Sequence, residues 1–205
     1  MGIVQIELGF RNPDKLPVFD KEPYIYNLPI KDVFLIKRPR YLDQRGGFQE
    51  LGRLNDISEA LGREVEMPQF QLSESRPGVL RGIHVEPEDK LVTPLWGNFK
   101  IVLVDLRRES ETFLNYISFD LNLMKGSPKY TINIPERVGN SFFVYPGDIA
   151  FYLYHVSKIF DPSNVNCGVR WDSVGINWPT KNPELSERDK NLPTIQQYLV
   201  SHLAR

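Results

Sequence analysis

Lys90-Leu91-Val92-Thr93-Pro94-Leu95-Trp96 and Phe99-Lys100-Ile101-Val102-Leu103-Val104-Asp105-Leu106 flank a Gly97-Asn98 pair. β-Branched and aromatic side chains fill both flanks, and a Gly-Asn pair between two such runs predicts a hairpin. The same pattern continues outward. Gln69-Phe70-Gln71-Leu72-Ser73-Glu74-Ser75 sets Gln69, Gln71, Ser73 and Ser75 on one face of a strand. Tyr130 to Ile134 alternates, Pro146-Gly147-Asp148 turns the chain into Ala150 to Val156, and Val169 to Trp178 closes the series. Only two stretches read as helix. Leu54, Ile57 and Leu61 recur at helical spacing, with Asn55 as N-cap and Gly62 as stop; Ile195, Leu199 and His202-Leu203 do so after Pro193-Thr194. Sixteen prolines, fourteen glycines and a 12% aromatic share fit many short strands and frequent turns. The expected fold is all-β, a β-sandwich or small jelly-roll barrel with a few short helices packed outside.

A chain of 205 residues suits one substantial domain. Residues 31–205 read as that domain. Residues 1–30 read as an N-terminal extension, a short alternating strand and then a Pro- and Asp-punctuated crossing, suited to covering a sheet edge or reaching a partner subunit. Basic and acidic residues number 25 and 26, so no global charge favours nucleic acid or a membrane surface. The basic run Lys37-Arg38-Pro39-Arg40-Tyr41 is too short to change that. The single cysteine, Cys167, excludes an intrachain disulfide and fits a reducing cytoplasm. No apolar run approaches the ~18 residues of a membrane helix. Met1 to Leu8 lacks the basic start of a signal peptide.

Chemistry concentrates in Gly78-Val79-Leu80-Arg81-Gly82-Ile83-His84-Val85-Glu86, followed by Lys90. Strict alternation sends Arg81 and His84 to opposite faces; a bulge at Gly82 would bring them together. A polar strand face either meets solvent or lines a ligand pocket, and the density of reactive residues here favours the pocket.

Several ordered motifs resemble the dTDP-4-dehydrorhamnose 3,5-epimerases, a family of nucleotide-sugar enzymes. They are Asp43-Gln44-Arg45-Gly46-Gly47-Phe48-Gln49-Glu50, Gln69 through Ser75, Gly78 to His84, Lys90-Leu91-Val92, Val104-Asp105-Leu106-Arg107, Ser110 to Phe113, Ile134-Pro135, Phe151 to Tyr154, Trp178-Pro179 and Leu185-Ser186-Glu187-Arg188-Asp189. They run from about Lys31 to Pro193. The resemblance implies a cupin-like jelly roll, no cofactor and no metal. It also implies epimerisation of a nucleoside-diphospho-4-keto-6-deoxyhexose at C3, C5 or both, in deoxysugar biosynthesis. Removing a proton beside a ketone needs a base titrating near neutrality, a donor for the enolate oxygen and an acid across the ring. By motif, His84 is the base, Asp189 its orienting partner, Lys90 the enolate donor and Tyr154 the acid. Arg45 and Arg81 are the phosphate ligands. Glu50, Gln69, Gln71 and Asn140 are further substrate contacts. The resemblance also implies a homodimer with an exchanged N-terminal strand, and Phe48 belongs to that exchange.

Taken singly, each residue has a plainer reading: Asp189 in a solvated charge run, Lys90 in a surface ion pair, Tyr154 in the core. The chain also departs from the family pattern. Asn140 stands where the pattern has His, Glu86 where it has Gln, Ile101 where it has Asp, and Ile159-Phe160 where it has two tyrosines. These changes point to an altered substrate or a single epimerised position. Rival functions remain: a non-catalytic relative that binds a sugar nucleotide or, with Trp96, Trp171 and Trp178 as platforms, a carbohydrate, and a metal-dependent cupin enzyme. The last lacks ligands, because His84-x-Glu86 offers only two on one face.

Overall fold

Lys90–Asp105 forms one sixteen-residue strand in the computed structural model, which describes residues 5–7, 25–123, 127–162 and 167–203. The expected hairpin at Gly97-Asn98 is therefore corrected to a bend within a strand. The physical reason is visible in the side-chain alternation. Val92 points into the central core before the glycine, whereas Phe99, Ile101 and Leu103 do so after it. The parity changes because the pairing slips between Phe151 and Tyr152 opposite the bend. Gly97 takes a φ of +117°, and a Cβ there would stand 2.6 Å from the Ala150 Cβ.

The elements in chain order are β1 (Gln5–Glu7), β2 (Ile25–Asn27), β3 (Phe34–Ile36), β4 (Arg40–Asp43), β5 (Gly46–Gln49), α1 (Leu54–Leu61), β6 (Gln69–Ser75), β7 (Leu80–His84), β8 (Lys90–Asp105), β9 (Tyr116–Leu123), β10 (Thr131–Ile134), β11 (Val138–Val144), β12 (Ala150–Val156), α2 (Glu187–Lys190) and α3 (Ile195–Leu203). The first half of β8 pairs with β10 and β12; its second half pairs with β9 and β11. β3 and β2 extend one layer beyond β10, and β6 closes it beyond β12. β1 and β7 flank the other layer. Strand β8 thus belongs to both layers, with the main core between them.

Part of each outer face is also covered. Val102, Val104, Leu80 and Ile83 pack under Trp178, Ile195 and Tyr198 of the C-terminal segment. Phe34, Ile36 and Leu91 pack under Ile57 of α1 with Val65 and Met67. Burial on both faces accounts for the unbroken apolar run Ile101 to Val104.

Both expected helices form. At α1, Arg53 rather than Asn55 is the N-cap, without a side-chain hydrogen bond, and Gly62 ends the helix in the left-handed region at φ +65°. Val169 to Trp178 is not a strand. Its backbone pairs with Ile83 only at Val169, and beyond that it forms turns, with Trp178 Nε1 donating to the Trp171 carbonyl. Most of the N-terminal extension, residues 8–24, lies outside the described residues. Its last part belongs to the barrel: β2 pairs with β3, and Ile30 is fully buried in the core. No helix of the described residues is long and apolar enough to cross a membrane.

Substituting Gly97 tests the bend. Gly97→Ala should destabilise the fold by about 3 kcal/mol, from backbone strain plus collision with Ala150. In urea unfolding this appears as a lower midpoint at unchanged slope. A Gly97→Ala midpoint equal to that of the parent chain would contradict the assignment.

Candidate active site

The site begins at the end of β7. Gly82 has φ +107°, and a Cβ there would stand 2.6 Å from the Asn140 carbonyl oxygen. The pairing with β11 slips between Asn140 and Phe142 at the same place. This is the irregularity that lets Arg81 and His84 line one cavity instead of opposite faces. The cavity, about 230 Å³, is also lined by Lys90 from the head of β8, Tyr154 from β12, Gln71 and Ser73 from β6, Asn140 from β11 and Arg188 from α2.

His84 Nε2 and Asp189 Oδ1 lie 2.7 Å apart. Asp189 reaches this position through a single helical turn that the sequence alone does not announce. Ser186 caps α2 by accepting from the Asp189 amide, and Asp189 faces inward with its side chain 4% exposed. Its second oxygen accepts from the Gly82 amide at 3.3 Å. Burial by itself would raise the Asp189 carboxyl, but the His84 hydrogen bond and charge, with the Gly82 and Ser186 bonds, bring it below its ordinary 3.8. Because Asp189 accepts at Nε2, the Nε2–H form of His84 leaves the Nδ1 lone pair free.

Tyr154 sits opposite Val92 and Gln71 in the layer. Burial pushes its phenol up to about 12, only partly offset by Ser73 and Arg81. It therefore keeps its proton across the neutral range and can donate it. Lys90 has a side chain only 5% exposed and pairs with Glu86. Burial would raise the Glu86 carboxyl, yet Lys90, His84 and Arg188 together bring it below 4.5.

The structure thus gathers His84, Asp189, Lys90, Tyr154, Gln71, Arg81 and Asn140. Arg81 is itself anchored, Nε donating to Ser75 Oγ at 2.8 Å. Gln69 stands beside the cavity, its Oε1 accepting from the Phe160 amide. Three expected contacts lie elsewhere in the chain's own fold. Arg45 is 85% exposed at the tip of the β4–β5 hairpin and pairs with Asp43. Phe48 is 72% exposed on that hairpin. Glu50 pairs with Arg38 and Arg53. Glu86 and Arg188 are site residues that the motif mapping left out. The signal for Glu86 was its departure from the family pattern; Arg188 read only as part of a charge run.

Among the described residues no three of His, Cys, Asp and Glu stand together as a metal site. His155 faces the outside of the barrel, edge-on to Phe70.

The Asp189 linkage has a defined sign. A carboxyl depressed by folding adds stability above pH 4 and loses it as pH falls through the depressed value. The stability gap between the parent chain and Asp189→Asn should therefore be full at pH 6 and narrow steadily below pH 3.8. A gap independent of pH would show that Asp189 is not ionised in the fold.

Comparison with known proteins fits this geometry. A profile of the family described as dTDP-4-dehydrorhamnose 3,5-epimerase matches residues 27–197. The dTDP-4-dehydrorhamnose 3,5-epimerase of Shigella flexneri is 34% identical over 168 residues, covering 79% of this chain and 90% of that protein. Among solved structures, a 4-keto-6-deoxy sugar epimerase from the novobiocin biosynthetic gene cluster of Streptomyces spheroides superposes with a TM-score of 0.78 at 29% identity, over 87% of this chain and 90% of that one. The dTDP-6-deoxy-D-glucose-3,5-epimerase of Legionella pneumophila, solved with dTDP-4-keto-L-rhamnose, gives a TM-score of 0.74 at 27% identity, over 84% and 92%. On its sequence and its fold, an all-β cupin-like jelly roll, the chain belongs to the dTDP-4-dehydrorhamnose 3,5-epimerase family.

Proposed function

We propose that the protein epimerises a nucleoside-diphospho-4-keto-6-deoxyhexose at C3, C5 or both, without a cofactor, as a step of deoxysugar biosynthesis. What carries the reading is His84, backed by Asp189, sharing one cavity with Lys90 and Tyr154. His84 Nδ1 takes the proton from the carbon beside the ketone. The electron pair moves into the enolate, whose oxygen is held by the Lys90 ammonium. Tyr154 returns a proton to the opposite face of the ring, and solvent resets both groups. Asp189 keeps the imidazole in the productive tautomer and stabilises its charged form. The non-catalytic binder explains the cavity but gives no task to this constellation.

Arg81, Gln71 and Asn140 contact the substrate from within the cavity, and Gln69 does so from its rim. Arg45, Phe48 and Glu50 act from a second copy. The β4–β5 hairpin presents Tyr41, Leu42 and Phe48 to solvent, and Phe70 and Leu72 are exposed on β6. Exposed apolar side chains of this kind suit an interface. In the proposed homodimer the exchanged element is the hairpin, with Arg45 reaching the partner's diphosphate. A cytoplasmic location agrees with the unpaired Cys167.

The test is proton exchange. In D₂O with dTDP-4-keto-6-deoxyglucose, deuterium should enter at C3, C5 or both, followed by NMR. His84→Asn should lower exchange by about a thousandfold. Tyr154→Phe should keep much of the exchange, because His84 still removes and returns the proton on its own face, while epimerised product falls about a hundredfold. Exchange retained in His84→Asn, or absent from the parent protein despite tight binding, would overturn the mechanism.

A further inference from the structure

Glu86 has no part in the proton transfers, yet its carboxylate is at the centre of the site. It stands two residues after His84, and its side chain is only 21% exposed. Its two oxygens serve two different elements. Oε2 pairs with Lys90 Nζ at the head of β8, and Oε1 accepts from the Arg188 guanidinium at 3.3 Å on α2. The Glu86 carbonyl accepts from the Arg137 amide at 3.0 Å, which fixes the backbone that carries it.

The result is a pair of parallel ties. His84 reaches Asp189, and Glu86 reaches Arg188, the adjacent residue of the same short helix. Lys90 is nearly sealed from water, and among the described residues Glu86 is the acceptor within hydrogen-bond reach of its ammonium. A lysine ends in a point charge on a flexible four-carbon stem, so without an anchor its position is poorly defined. A buried ammonium stripped of its counter-charge would also reorient toward water. A carboxamide at this position has one acceptor oxygen, whereas the carboxylate holds both cations at once.

We propose that Glu86 is a positioning residue of the reaction proposed above. It fixes the Lys90 ammonium where the enolate oxygen develops, and its tie to Arg188 holds the carboxylate itself in place. This inference rests on that reaction, and it adds a residue to which the motif mapping gave no role.

The experiment measures kcat and KM for epimerisation in the parent protein, Glu86→Ala and Glu86→Gln, each also in a Lys90→Met background. Glu86→Ala should lower kcat by roughly a hundredfold, as for a lost oxyanion donor, with KM within about threefold. Glu86→Gln keeps one acceptor and should recover to within about tenfold of the parent. In the Lys90→Met background either substitution should change kcat by less than about threefold, because the group being positioned is gone. Should Glu86→Ala fail to fold, Glu86→Gln and its Lys90→Met partner decide the question, the loss being present in the first background and absent in the second. Equal losses in both backgrounds, a kcat unchanged by either substitution, or a KM rising in step with the fall in kcat would overturn the positioning role. A parent protein that exchanges no deuterium would overturn the reaction itself. Exchange in the parent with indifferent Glu86 variants would overturn this inference alone.

Discussion

One strand shared between two layers governs the rest of the molecule. β8 pairs with β10 and β12 before Gly97, and with β9 and β11 after it. That continuity closes two sheets around one core, and it also assembles the site. β12 brings Tyr154 against the first half of β8. β11, held by the second half, brings β7 and hence His84. Lys90 begins the strand itself. The groups proposed for catalysis are thus held by hydrogen-bonded ladders, with only Asp189 and Arg188 supplied by a helical turn far along the chain. Ladder-borne side chains lose little freedom on binding a substrate, which is what positioning demands.

Much of this was legible in the residues, and the failures have physical causes. Glycine beside Asn98 signals a backbone that leaves the ordinary strand region, but a hairpin and a corner-turning bulge make the same local demand. What separates them is whether the flanking runs pair with each other or with other strands, and that is a long-range fact. Val169, Val174 and Trp178 are apolar because they cover the outer face of β7 and β8, not because they form a ladder. Asp189 offered no periodic signal, since one turn of helix is too short to have a period. Its buried position depends on Ser186, Gly82 and His84, which lie near it only once the chain has folded.

Six candidate residues line one cavity, with Asp189 behind His84, but Arg45 and Phe48 belong to the exposed β4–β5 hairpin and Glu50 to the chain just after it. A motif records residue type and order and says nothing about which copy of a chain receives the side chain. The departures from the family pattern were more telling than the matches in one respect. Glu86 is paired with two cations and half-buried near His84, so a change that reads as a like-charge hazard for a diphosphate becomes an internally compensated cluster. Counter-charges that sit inside a pocket cost less than a lone carboxylate would, because each removes the other's need for water.

The reading of His84 as a base requires its proton to sit on the nitrogen facing Asp189, leaving the other nitrogen bare toward the cavity. A long-range ¹H–¹⁵N correlation spectrum of the neutral imidazole measures that directly. The Nε2–H tautomer, lost to a mixture of tautomers in Asp189→Asn, is the predicted result; an Nδ1–H tautomer in the parent protein would contradict it.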